Sequence, residues 1–329
     1  MASTTGLTRS TFAKLSPHPY LLANLKPSSN DVRPARSNGR ASDEVRAPTV
    51  NASSLSHANG SAVVRVGDTT VICGVRAETI LTQNIPSYRA ANTETELKEY
   101  DLLVPNIELA TGCAPQFLPG GPPSTLAQTL STRIYSLLHS SKIINPEDLR
   151  IWHTAPSEDF EAAEDRMEED DAETVNENRS VVAYWVLYID IFFISFDGNP
   201  FDAAWAATMA ALRDTKLPEL TIVCSRKESR PLSITSIPIA CTAVVFTGKE
   251  TDRPTDGEFW MLVDPDRLEE SLCDESVTIV VDCKNGKVNI LSISKHGGIA
   301  LTPQFLTSEQ FLGWATKRWE QFNAAITQS

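Results

Sequence analysis

Residues 181–196 constrain the fold more than any other segment. Nearly every position is β-branched, aromatic or leucine, Asp190 is the one charge, and Asp197-Gly198 marks the stop. Such a run reads as a long buried strand. It falls short of the roughly 18–20 apolar residues that a membrane span needs, and no other stretch comes closer. Directly before it lies the opposite kind of sequence. Residues 157–180 carry eleven acids against Arg166 and Arg179, a local charge of −9 out of −13 for the whole chain. Like-charge repulsion and few apolar side chains leave little to offset the entropy of ordering. This tract is expected to be a disordered insertion between two strands.

Outside that tract the chain is close to neutral, so its acidity decides nothing about nucleic acid. Residues 1–40 even form a mildly basic arm, with Arg9, Lys14, Lys26, Arg33, Arg36 and Arg40 against Asp31. Residues 1–37 read as an extended arm holding one short helix at 17–25, where Tyr20, Leu21, Leu22 and Leu25 make an apolar patch. Residues 38–329 read as one domain interrupted by the acidic insertion.

Within that domain the signals give two rounds of strands followed by helices. Residues 45–51, 62–66 and 69–77 are strand-like, the last two joined by a Gly67-Asp68 turn. Residues 83–100 are polar and expected to be a loop; 102–109 return to strand. Ser124 caps a helix in which Leu126, Leu130, Ile134, Leu137 and Leu138 recur at helical spacing. A strand is expected at 149–154. After the long strand, Pro200 opens a helix to about residue 215 whose small residues suit close packing on a sheet. Strands are expected near 217–224, 233–237, 242–246, 259–263, 277–282 and 288–293, with Asn285-Gly286 as a hairpin turn. A final amphipathic helix carries Phe311, Leu312, Ala315, Trp319, Phe322 and Ile326. The fold class is α+β, with layered β-sheets and helices.

Six scattered cysteines show no C-x-x-C spacing, and the five histidines show no metal-ligand or triad context. No secretory signal is evident. The reading is a reduced, soluble chain without membrane attachment, a bound metal or a cofactor.

Three segments, in order and in register, resemble RNase PH-type domains. The first is Asn38-Gly39-Arg40-Ala41-Ser42-Asp43-Glu44-Val45-Arg46, followed by Gly60-Ser61-Ala62-Val63-Val64-Arg65-Val66-Gly67-Asp68-Thr69-Thr70-Val71. It is similar to a D-G-R-x-x-x-E-x-R opening and a G-S-A-x-V-x-x-G-x-T-x-V run, with Asn38 where aspartate is usual. The second is Asp197-Gly198-Asn199-Pro200-Phe201-Asp202-Ala203-Ala204, and the third is Leu262-Val263-Asp264-Pro265 with Glu269-Glu270 after it. Val104-Pro105-Asn106-Ile107-Glu108-Leu109 and then Gly120-Gly121-Pro122-Pro123 resemble the non-catalytic branch of eukaryotic exosome ring subunits. Within it they are most similar to the ribosomal RNA-processing protein forty-three type. Sister subunits tend to carry arginine where Pro122 stands.

The resemblance implies an RNase PH-like fold, related to ribosomal protein S5 domain 2. It also implies a structural role in a hetero-hexameric exosome ring with other RNase PH-like subunits, S1/KH-type cap proteins, a separate processive exonuclease and RNA. The expected location is the nucleus, nucleolus and cytoplasm. Active relatives shorten RNA from its 3′ end with phosphate as nucleophile, which requires cations around two anions and acids to hold a metal or position protons. Here residues 116–132 contain no lysine or arginine, and Arg133 comes late. The family's D-x-G-T-R turn becomes Asp197-Gly198-Asn199-Pro200-Phe201, so Phe201 replaces the phosphate arginine and Pro200 removes a backbone donor at a helix start. Asp264 fits one acidic position, although a turn or cap role suits it better; Asp256 is offset from the other. No catalytic residue is therefore assigned, and an active phosphate-dependent 3′-to-5′ exoribonuclease is the alternative. RNA contact is expected instead from Arg89 and Lys98 in the polar loop, which also carries Glu94, Glu96 and Glu99. The alternative for that loop is simple solvation.

Overall fold

The computed structural model describes residues 8–27, 33–90, 95–119, 121–154, 179–218, 229–248, 259–284, 286–298, 301 and 308–328. The apolar run becomes β6 (Arg179–Ser195), the hub of the first sheet. The antiparallel chain β1 (Pro48–Ala52), β2 (Gly60–Val66) and β3 (Thr69–Leu81) reaches β6 from one side. On the other side, β4 (Leu103–Leu109) runs parallel to its later half, and β5 (Arg150–Thr154) runs antiparallel to its first half. This doubling explains the length of the run, because one strand must serve two partners along the same edge. Arg179 and Ser180 pair with Thr154 and His153, so the last two residues of the acidic stretch belong to β6. The rest of that stretch lies outside the described residues.

The second sheet has the order β10 (Phe259–Val263), β9 (Ile239–Thr247), β11 (Glu275–Lys284), β12 (Lys287–His296), all antiparallel. β7 (Lys216–Pro218) and β8 (Ser229–Pro231) form a small separate pair. Between the two large sheets lies α5 (Pro200–Asp214), packed against β2, β3 and β9. Every residue from Pro200 to Leu212 is buried, as befits a helix that is almost entirely apolar over this stretch, Asp202 and Thr208 being its polar members. Its alanines allow backbones to approach closely. Gly60 on β2 marks the contact: a β-carbon there would lie 2.6 Å from the carbonyl oxygen of Ala211.

α4 (Thr125–Ser141) lies on β4 and takes its N-cap from Ser124, whose hydroxyl accepts the Ala127 N–H. α7 (Glu309–Gln328) packs over β1, β9 and β11. The N-terminal arm is more structured than an extended leader with one helix: α1 (Arg9–Leu15) precedes α2 (Pro17–Leu25). Leu21 and Leu25 of α2 bury against Val244, Phe246 and Leu262 of the second sheet.

Two local expectations need correction. Residues 83–100 are not simply a polar loop. They contain a 3-10 turn at Thr82–Asn84 and the short α3 (Glu96–Glu99), and they bury Ile85, Glu96, Leu97 and Tyr100. Residues 233–237 do not form a strand; only Ile234 bridges, to Ile144. Glu269 and Glu270 sit in α6 (Arg267–Leu272), which begins with a capping box between Asp266 and Glu269. Of the strand expected at 217–224, only the first two residues fall in β7, and 219–224 lie outside the described residues.

Candidate nucleic-acid interface

The three sequence motifs, far apart along the chain, meet in one buried polar cluster around Asp264. This residue is 1% exposed and sits in the left-handed region, φ 54°. Its carboxylate accepts from the Arg46 backbone N–H (2.8 Å), Arg46 Nε (3.0 Å) and Nη2 (2.8 Å), and Asn199 Nδ2 (2.8 Å). Arg40 and Arg318 stand 3.5 and 3.8 Å away. Burial alone would raise this carboxyl, but the hydrogen bonds from Arg46 and the charges of Arg318 and Arg46 outweigh it and hold it well below the usual carboxylate range. Arg318 also donates to the Arg46 carbonyl, at 2.6 Å, so α7 closes the cluster. Thr69, from the first motif, accepts from the Asp197 N–H and donates to the Gly198 carbonyl, both at 2.9 Å. Asn38 Nδ2 donates to Asp266 (2.9 Å), where an aspartate at position 38 would face a like charge. Asp264 is thus a structural clamp and has no free oxygen to offer a substrate. Asp256 lies outside the described residues.

At the neighbouring helix start, chemistry that would hold an anion is already filled. Asn199 caps α5 in the left-handed conformation without a side-chain cap bond, and Pro200 follows with no N–H. The Asn199 N–H donates to Glu270 Oε1 at 2.7 Å, so the chain's own carboxylate occupies this end of α5. Burial pushes the Glu270 carboxyl up to about 7. Phe201 is buried, and the Arg133 guanidinium lies over its ring, 3.9 Å from the centroid. Arg133, late as it comes in the sequence, therefore does reach this place, but by stacking on an aromatic face. The cleft here holds about 300 Å³, and Glu270, Asp274 and Glu275 line it against Arg133 and His296. A second groove of about 850 Å³ runs along residues 106–112, 116–119 and 121–124 and includes Pro122 and Pro123; among the described residues no lysine or arginine lines it. Among the described residues no group of His, Cys, Asp or Glu side chains is placed to hold a metal.

Arg89 and Lys98 are both exposed, and described residues beside each are tied to the body of the domain. The Tyr100 hydroxyl accepts the Arg89 N–H (3.1 Å) and lies 3.3 Å from the Arg89 carbonyl. Glu96, fully buried, receives Arg150 Nη2 (2.7 Å) and Nε (3.1 Å) from β5 and the Tyr184 hydroxyl (3.0 Å) from β6. The structure thus ties the backbone of one cation to a tyrosine two residues from the other. Glu96 belongs to the anchor and is unavailable to oppose RNA; Glu94 lies outside the described residues.

Residues 44–218 match the 3′ exoribonuclease family, domain 1, and residues 236–308 match its domain 2. The chain belongs to the RNase PH-type 3′ exoribonuclease family. Among its RNase PH-type relatives, the exosome complex component rrp43 of Schizosaccharomyces pombe is 32% identical, covering 91% of this chain and 92% of the relative. The exosome complex component Rrp42 of Methanopyrus kandleri is 28% identical over 88% of this chain and 90% of that one. These relatives fit an exosome ring subunit of the Rrp43 type. The RNase PH-type fold is shared with a chain of the Archaeoglobus fulgidus exosome with RNA bound to the active site. That pair has a TM-score of 0.64 and 24% identity, covering 92% and 95% of the two chains.

Proposed function

We propose that this chain is a non-catalytic, structural subunit of an RNA exosome ring, and that it supports 3′-to-5′ RNA processing by a separate exonuclease. The observation that carries the loss of catalysis is the Glu270 carboxylate on the α5 N-terminus, beside a buried Phe201 where the family places an arginine. A phosphate ion would have to displace a carboxylate from that N–H and then enter a cleft richer in acids than in bases. Asp264, the one acid in a family catalytic position, is fully engaged by arginines and an asparagine.

The ring role is supported by relatives that are themselves exosome components and by the outer edge of the second sheet. On β12, Val288, Ile290, Leu291 and Ile293 are each 37–40% exposed. An edge strand with this much apolar surface suits a partner subunit that covers it. Other RNase PH-like subunits are the expected neighbours, with S1/KH-type caps above them. RNA guidance is assigned to Arg89 and Lys98. The purified chain, given an unstructured RNA and inorganic phosphate, should release no nucleoside diphosphate. Phosphate-dependent shortening from the 3′ end would establish the active alternative.

A further inference from the structure

Two exposed cations on a segment that swayed freely would bind RNA weakly, because each engagement of a phosphate would first have to restrict the chain. The described residues 83–90 and 95–100 are built differently. Tyr88, Tyr100 and Tyr184 pack ring against ring, with centroids 5.6–6.3 Å apart. Below them Glu96 joins α3 to β5 through Arg150 and to β6 through Tyr184. From α4, His139 Nε2 lies 3.2 Å from the Leu97 carbonyl, and the Tyr135 hydroxyl donates to Asp101 at 2.7 Å. Solvation alone demands none of this: a buried Glu–Arg pair is a poor source of stability but a good means of fixing one geometry.

We propose that Tyr100, seated on the Glu96–Arg150–Tyr184 anchor, is a positioning residue that holds Arg89 and Lys98 on one rigid platform for the phosphates of single-stranded RNA. The inference rests on the RNA-guiding role proposed above. Tyr100 touches no phosphate itself; its hydroxyl acts on the Arg89 backbone, and its ring fixes the end of α3.

The test is a double-mutant cycle on the purified complex containing the full chain, with a uridine homopolymer RNA as probe and a salt series at each point. The Arg89→Gln, Lys98→Gln variant should weaken binding and lower the salt slope by about 0.7 for each phosphate no longer neutralised. Tyr100→Phe, which deletes one hydroxyl and leaves both charges, should weaken binding by about threefold or more. The Arg89 amide should also exchange faster in that variant. Added to the charge-free pair, Tyr100→Phe should have no further effect. An unchanged affinity for Tyr100→Phe, while the charge variant binds weakly, overturns the positioning role and leaves RNA binding by the two cations standing. An equal loss in both backgrounds overturns it too. No effect from the charge variant removes the RNA-guiding role and this proposal with it.

Discussion

Asp264 shows how a carboxylate in a family motif can be committed to a cluster of the chain's own side chains. With Arg46, Asn199, Arg40 and Arg318 converging on it, removing its charge takes from buried Arg318 its carboxylate at 3.8 Å and leaves Arg46 and Arg40 with the longer pairs to Asp197 (3.5 Å) and Glu269 (3.7 Å). Asp264→Asn should therefore destabilise the fold by about 3–5 kcal/mol, read by urea unfolding. The acid arm of the stability curve should change as well. A carboxyl held below its ordinary 3.8 contributes fully above that pH and is lost as pH falls through its lower folded value. The variant should lack that component. Glu270 has the opposite sign. Its carboxyl is raised from 4.5 to about 7, so folding favours the protonated form, and stability declines as pH rises between those values. Glu270→Gln keeps an acceptor for the Asn199 N–H. It should flatten that decline and stabilise the protein at pH 8 by on the order of 1–3 kcal/mol. An unchanged pH profile would contradict this account of Glu270. Asp264 and Phe201 were legible from their motifs. Arg318 was not, because a charge in a helix reads as a solvent-facing residue, and nothing local says that Arg318 stacks on Phe322, 4.5 Å from its centroid, inside the cluster.

Elements were legible wherever a local signal sets their limits. Pro17, Ser124 and Pro200 each mark a helix start that the structure keeps, and Phe259–Val263 stands as expected. Elements held by tertiary contacts were missed. α3 is only four residues long and persists through Glu96 and Leu97, whose burial cannot be read from an acidic stretch. Residues 233–237 carry strand-like side chains but follow the short β7–β8 pair, and only Ile234 finds a partner, in an isolated bridge to Ile144. α2 offers a direct check on how much the N-terminal arm contributes. Leu21 is fully buried among Val244, Phe246 and Leu262, so Leu21→Ala should cost about 2–4 kcal/mol in thermal or urea unfolding. A cost within experimental error would mean that α2 does not stay on the sheet in solution.

At the scale of the whole molecule, two sheets sandwich α5, the three motifs meet where those layers touch, and the second sheet ends in an apolar edge. The layered α+β architecture followed from strand and helix order. The meeting of the motifs did not, because sequence order says nothing about which turns of two sheets become neighbours. The aromatic residues confirm that exposure has to be seen rather than inferred: Trp205 and Phe193 are core, whereas Phe192, one position from Phe193, is 38% exposed on the opposite face of β6. The proposed ring role joins two features of this architecture, the Glu270 carboxyl on the Asn199 N–H and the exposed apolar residues of the β12 edge. The most direct measurement is native mass spectrometry of the tagged full-length chain purified at endogenous level under mild salt. The expected result is a hetero-oligomer containing this chain together with other RNase PH-like subunits and no homo-hexamer. A stable monomer, or a homo-oligomer that degrades RNA with phosphate, would contradict the ring-subunit account.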